Sequence, residues 1–395
     1  MSYAQPYAGV KIVDLSQAIA GPYAASLLAQ QGAEVIKVEP HRGDWMRWTG
    51  YTVGDHSALS IIANLGKRSI VVNLKTAEGL DIVCQLVADA DIFIESFRPG
   101  VIARLGLSYD TVAALNPRLI YLSVSGFGQH GPLRERPGTD SVMQAFSGFM
   151  SVNKGNDGVP HRAGLFHADL STALYNLQAL QSALWARQSA RHGCYIENSL
   201  LRGAAAFHNM NLLTEHLAGP DNRPGVYPSL TFETADGFIN LAVIYDAEFP
   251  VLCDILGLSE FRDHADYQTA AQRYARRDVL EPALREVIQR ESTDYWCERL
   301  TTSRLLNERV NTYTEFLSHS QPTESGAIAW VEHPHTGKIP LANAAGIRPH
   351  DPHQPIHAPA LGEHTSAILK ELGYSAERID DLMTRGVVGA QHAEG

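Results

Sequence analysis

Residues 9–40 read GVKIVDLSQAIAGPYAASLLAQQGAEVIKVEP, and the order of patterns within them decides the fold. Gly9–Leu15 is a short apolar run of the kind a buried strand needs. Ser16–Pro22 is a turn. Pro22–Gly32 has helical spacing, with Pro22 in the first turn and Gly32 at the end, where each residue is best tolerated. Ala33–Pro40 is a second apolar run. Strand, helix and strand in this order make a βαβ unit, the start of a parallel sheet. The same pattern recurs outward along the chain. Ser69–Leu74 precedes helical Thr76–Ala90, with Thr76 as its cap; Asp91–Phe97 precedes Arg98–Gly106; Leu119–Gly128 reads as another strand. Repeated βα units predict an α/β fold with a Rossmann-like open parallel sheet.

The style changes after Gly128. GPLRERPGTD (131–140) is a polar loop, helical spacing runs from about 139 to 191, and GCYIENSLL (193–201) is one more strand. LTFETADGFINLAVI (230–244) reads as a hairpin turning at Ala235-Asp236-Gly237. Helical stretches follow at 246–258, 276–291 and 293–300, then a second hairpin-like segment at 327–342 and two short helices in the tail. Residues 205–325 therefore form a smaller α+β domain.

Composition narrows the function. The chain has 395 residues, 45% hydrophobic and 19% charged, with a formal net charge of −11. Such a charge repels nucleic acid unless a local basic patch exists. There is no apolar run of about 18 residues, so no membrane span is expected. The N-terminal MSYAQPYAGVKIVDL carries no basic segment followed by an apolar core, so no secretory signal is visible. Cys84, Cys194, Cys253 and Cys297 are scattered with no C-x-x-C pair, which fits a reducing cytoplasm and neither a disulfide framework nor a zinc site.

Several chemistries lack their motifs. The turn after the first strand, Ala20-Gly21-Pro22, has one glycine where the dinucleotide fingerprint needs three, although Glu39 ends the second strand where an acid would meet a ribose. No nicotinamide is expected. The 17 histidines are dispersed, with HPHTG (333–337) read as a hairpin turn and DPHQPIH (351–357) as a surface loop, so no metal is expected. No G-x-S-x-G elbow occurs. Cations do gather around strand ends: Lys67 and Arg68 enter the third strand, Lys75 leaves it, Arg98 follows the fourth, and Arg104 comes a turn or two later. Open parallel sheets bind ligands beyond the carboxyl ends of their strands, and Arg and Lys there suit phosphates. Solvated surface charge is the plain alternative. In LFHADLSTAL (165–174), Asp169 stands at the mouth of a long apolar helix pattern. It reads either as a helix N-cap or as a reactive carboxylate.

Taken in order, GVKIVDLSQAIAGPYAASLLAQQGAEVIKVEP, GKRSIVVNLKTAEG, ADIFIESFRPGVIARLGL, NPRLIYLSVSGFGQHGP, RPGTD…QAFSG and APALGEHTSAIL resemble the class III coenzyme A transferases, the CaiB/BaiF or formyl-CoA transferase-like family. The resemblance covers nearly the whole chain. It implies a catalytic aspartate at the start of a long helix, matched in position by Asp169. It implies contacts to coenzyme A from Gln17, Ala18, Val72, Lys75, Phe97 and Arg104, with Arg98 a phosphate partner. It implies a large Rossmann-like domain of residues 1–204 and 326–395, the small domain at 205–325, and an interlocked homodimer whose active site lies between a large domain and the partner's small domain. The implied reaction moves CoA from an acyl-CoA donor to a carboxylic acid through an aspartyl anhydride and an aspartyl-CoA thioester, with helix-start N–H groups stabilising the oxyanion and Phe166, Phe149 and Ile19 excluding water.

Departures from the family bear on the substrate. The oxalate enzyme has a glutamine where this chain has Ile19 and a tyrosine where it has Thr139, so the loss of both polar groups suits oxalate poorly. Ser96 stands for the family asparagine beside Phe97, and GPDNRPGVYPS (219–229) replaces a glycine-rich lid. Arg47, Trp48, Arg223 and Tyr227 are candidates for the substrate pocket, and an arginine there suits a second carboxylate, as in succinate, itaconate or mesaconate. An ordinary packing role is the alternative for each. The rival activity is a 2-methylacyl-CoA racemase of the same superfamily, which pairs the aspartate with a histidine in a Gly-His-Asp loop. Here that loop is Gly138-Thr139-Asp140, and threonine exchanges no proton near neutral pH, which leaves His167 as the substitute.

Overall fold

The structure, a computed structural model, describes residues 5–155, 158–219, 224–351, 353–354 and 356–390. Six parallel strands carry it: β1 (Lys11–Asp14), β2 (Glu34–Glu39), β3 (Arg68–Val72), β4 (Ile92–Glu95), β5 (Ile120–Ser125) and β6 (Cys194–Ser199). Their order is β3-β2-β1-β4-β5-β6. The chain reverses direction across the sheet between β1 and β4, where open α/β sheets leave a crevice for ligands. Side chains alternate between two cores. Val13, Val38, Ile70, Phe93 and Tyr121 face one, and Ile12, Val35, Ile94, Ile120 and Leu122 face the other.

Helices cover both faces. α1 (Ala20–Ala29) packs Ala25 and Leu28 into the second core. A Cβ added at Gly21 would stand 2.3 Å from Ser16 Oγ, so only glycine lets α1 start so close to the turn that precedes it. α2 (Ala77–Ala88) is capped as expected, with Thr76 Oγ1 accepting from Gly79 N. α3 (Asp140–Phe146) and α4 (His167–Ala186) account for much of the segment from 139 to 191. That segment is not continuously helical, because residues 153–155 and 158–166 are irregular.

The later chain returns to the large sheet. Ile368, Leu369, Ile379 and Leu382 fill the first core, and Val388–Gly389 pairs antiparallel with Val71 and Val72 on the free edge of β3. The Ile328–His333 and Gly337–Ala342 hairpin was legible; the edge strand was not. Residues divide into two compact units, one of residues up to 209 together with 323 onward, the other of residues 210–322. Within the second, Ser229–Glu233, Phe238–Ala242 and Leu306–Arg309 form an antiparallel sheet over a core of Phe232, Ile239, Leu241, Leu280 and Trp296. No described helix is long and apolar enough to cross a membrane.

Candidate active site

A cavity of about 440 Å³ opens at the reversal point of the large sheet. The turn after β1 gives it Gln17 and Ala18, the end of β4 gives Ser96, Phe97 and Arg98, and the end of β5 gives Ser125 and Gly126. These turns are tied together. Gln17 N donates to Ser96 Oγ at 2.8 Å, and Ala18 N donates to the Asp44 carboxylate at 3.1 and 3.2 Å. Ala18 sits at φ 66°, a left-handed conformation that costs a non-glycine residue about 1 kcal/mol or more. Asp44 holds it there. The same carboxylate accepts from Met46 N at 3.1 Å, which caps the short helical turn that carries Trp45 onto the cavity wall. Lys37 Nζ lies 3.3 Å from Asp44 and also donates to Ser16 O. Asp14 binds Lys67 Nζ at 2.7 Å and Ser16 N at 2.9 Å. Burial works against the Asp14 charge, but Lys37 and Lys67 hold its carboxyl below the usual range.

Two glycines bring the remaining wall close. Gly126 and Gly138 cross backbone to backbone, so that a Cβ on either would come within 2.9 or 2.8 Å of the other's Cα. Gly138 leads into Thr139, the first cap of α3, and Asp140. Asp140 Oδ1 accepts from Ala168 N at 2.8 Å and from Asp169 N at 3.4 Å. Asp140, reaching from another helix, thus does the capping work of α4. Asp169 is inside the first turn, after the Phe166 cap position, and is no N-cap. Among the described residues its carboxylate has no hydrogen bond and no ion pair. Burial first, then the Asp140 charge, pushes it up to about 7. The expectation that helix-start amides stabilise an oxyanion needs correction: those of Ala168 and Asp169 already serve Asp140.

A model of CoA-transferase family III matches residues 7–365. The chain belongs to that family. Succinyl-CoA:glutarate CoA-transferase from Homo sapiens is 33% identical over 402 residues, 98% of this chain and 91% of that protein. An acetyl-CoA:oxalate CoA-transferase from Acetobacter aceti is 32% identical over 381 residues, 93% of this chain and 95% of that one. A CaiB/BaiF family protein from Brucella suis has a solved structure that matches with a TM-score of 0.82 at 31% identity, over 94% of this chain and 100% of that one. This is a class III CoA-transferase, and CoA is the co-substrate of such enzymes.

In the transferase, Asp169, Gln17, Ala18, Phe97, Arg98 and Thr139 line one cavity, with Phe166 beside them. The other residues singled out in the sequence stand elsewhere. Val72 is buried in the first core, Lys75 is exposed in the turn after β3, and Arg104 is exposed on the Val101–Arg104 helix. Ile19 is buried at the start of α1. Trp48 is exposed, and its indole N–H donates to Arg42 O at 2.8 Å. Arg47 is buried in a fork on Glu39 at 2.8 Å through both Nε and Nη2. Tyr227 lies in the second unit, buried, its hydroxyl donating to Glu281. Arg223 falls outside the described residues. His167, two residues from Asp169, stacks on Phe149 at 4.3 Å and meets His208 Nε2 at 2.7 Å, away from the cavity wall.

Sequence reasoning passed over Trp45, Arg134, Arg136 and Arg162, all on the cavity wall. The polar loop GPLRERPGTD held two of these arginines in plain view. Their available signal was two cations immediately before the Gly138 crossing. One histidine cluster also emerges: among the described residues, His357, Glu363 and His364 bring three ligand atoms within 4.8 Å. His364 Nδ1 accepts from Ser69 N at 3.3 Å, which leaves the proton of the neutral ring on Nε2, 3.8 Å from Glu363 Oε1. His357 Nε2 is 2.8 Å from the same Glu363 oxygen, so the cluster works as a clasp on one carboxylate.

Proposed function

We propose that the transferase moves CoA from an acyl-CoA donor to a small dicarboxylic acid, with Asp169 as the carrier. One observation supports this above the others: Asp169 is, among the described residues, an unpartnered carboxylate on the wall of a cavity at the ligand crevice of the sheet. A carboxylate without hydrogen-bond donors keeps its electron pairs available for attack. It adds to the donor thioester carbonyl, the C–S bond breaks, and a mixed anhydride and CoA thiolate result. The thiolate then attacks the aspartyl carbonyl, expels the donor acid and leaves an aspartyl-CoA thioester. The acceptor carboxylate attacks that thioester, and the released thiolate takes the acceptor acyl group from the new anhydride. Asp169 is regenerated with its proton count unchanged. In this reading Gln17, Ala18, Phe97 and Arg98 face CoA, with Val72, Lys75 and Arg104 beyond the cavity toward its adenosine end. Arg98 suits a phosphate, and Phe166 keeps water from the anhydride.

The working unit of this reading is an interlocked homodimer in the cytoplasm, with no nucleic-acid or membrane partner. Exposed apolar residues on the Asn209–Ala218 helix support an assembly: Met210 is 80% exposed and Leu217 75%. Oxygen-18 tests the carrier. With labelled acceptor acid, each turnover places one labelled oxygen in the Asp169 side chain, read by peptide mass spectrometry, and Asp169→Ala lowers exchange by at least about 1,000-fold. Turnover that leaves Asp169 unlabelled defeats the reading.

A further inference from the structure

The cavity wall carries four arginines, and they differ in their commitments. Arg134 has a partner in Glu135 at 3.4 Å. The Arg136 guanidinium lies over the Phe127 ring at 5.5 Å. Arg98 stands at the end of β4 beside Phe97, on the side read as facing CoA. Arg162 is exposed to the cavity and, among the described residues, makes no hydrogen bond, ion pair or ring contact.

Its backbone, in contrast, is pinned. Ala163 N donates to Gln144 Oε1 at 2.9 Å. Gln144 Nε2 donates to Leu165 O at 3.0 Å and to Asp140 Oδ2 at 2.6 Å. Asp140 Oδ1 accepts from Asp169 N. One run of hydrogen bonds therefore fixes the segment that bears Arg162 against the helix turn that bears Asp169. A guanidinium and a carboxylate held on one cavity wall with no other partners would join if they could reach each other. They do not join, and Arg162 is absent from the charges that act on Asp169. Both border one cavity, which offers a reactive carboxyl at one place on its wall and, at another, a fork that matches a carboxylate.

We propose that Arg162 holds the distal carboxylate of a dicarboxylic substrate while its proximal carboxyl reacts at Asp169. This rests on Asp169 as the acyl carrier and adds the residue that selects the second charge. Succinate and glutarate have the required form, two carboxylates joined by a short methylene chain. Arg47, the arginine nearest this role by sequence, is spent on Glu39.

The experiment compares glutarate with pentanoate, which has the same chain length and lacks the second carboxylate. In an exchange of this kind kcat/KM for the acceptor does not depend on the donor, so one donor, succinyl-CoA, serves throughout. Arg162→Gln lowers kcat/KM for glutarate by about 100-fold and leaves that for pentanoate within about threefold. Arg162→Lys recovers part of the glutarate rate. Arg162→Glu favours 4-aminobutanoate, in which an ammonium replaces the distal carboxylate of glutarate. An equal loss for both acids overturns the proposal, and so does a wild type that treats the two acids alike. A rise in KM for every acyl-CoA with unchanged acid preference also overturns it, and moves the guanidinium to a CoA phosphate. The reading of Asp169 fails separately, if Asp169→Ala keeps full exchange while acid preference still follows Arg162.

Discussion

Asp169 illustrates how a side chain is made reactive by what is withheld from it. Its backbone N–H is satisfied by Asp140, while its carboxylate is left without a donor. A carboxyl raised to about 7 binds a proton in the folded chain that the unfolded chain has already lost. Its contribution to stability is therefore complete at pH 4 and below, and declines as pH rises toward 7. Asp169→Asn should match the wild type in urea denaturation at pH 4 and exceed it by up to about 4 kcal/mol at pH 8. The same titration sets the chemistry, since only the ionised form attacks. For the wild type, kcat/KM for acyl-CoA should climb with pH through about 7. A flat profile between pH 5 and 9 contradicts both the burial and the role. The sequence marked Asp169 through its place before an apolar helix, and family resemblance chose between cap and carrier. It could not reveal Asp140 as the true cap, 29 residues away, because that contact depends on the Gly126–Gly138 crossing.

At the scale of elements, the strands were legible because parallel strands buried on both faces read as unbroken apolar runs. Their order was not, because neighbours such as β1 and β4 meet only through the crossover connections. The charged residues misled for a physical reason. Glu39 ends β2 and Arg47 follows eight residues later, and only the fold of the intervening turn shows that they face each other inside the protein. Arg47 also reaches Asp55 at 3.3 Å and Pro359 O at 3.2 Å, so it joins the second strand to the returning later chain. Burial alone would raise Glu39, but the hydrogen bonds and charge of Arg47 bring it down to about 2. Arg47→Met leaves that charge buried and unmatched, and should cost about 3–5 kcal/mol at pH 7 by chemical denaturation. A lowered carboxyl gives stability above its ordinary value near 4.5 and loses it as pH falls toward 2. The deficit of the variant should therefore shrink between pH 5 and pH 3. A deficit that is constant across that range would assign the loss to packing alone.

For the whole molecule, the large sheet is assembled from pieces of chain that flank the second unit in the sequence. Val387 and Val388 are buried at 3% and 1% exposure, and Asn73 N donates to Val387 O at 2.8 Å. Removing everything beyond Arg385 strips two buried valines from the first core, about 3–5 kcal/mol, out of a usual total of about 5–15. The truncated protein should unfold at lower denaturant and scatter light at concentrations where the full chain stays clear. Unchanged stability would show the edge strand to be ornamental. The two-residue length of this strand explains why no periodicity announced it.

Synthesis gives that strand a further consequence. A ribosome delivers β3 early and its edge partner only after the whole of the intervening chain has emerged. During that interval the N–H and C=O groups along one side of β3 have no mate, and a neighbouring nascent chain with the same exposed edge is an equally good one. Polysomes crowded with this message are thus where mispairing begins, and a chaperone that shields the edge until Val388 arrives protects the fold more than one that waits for the finished chain.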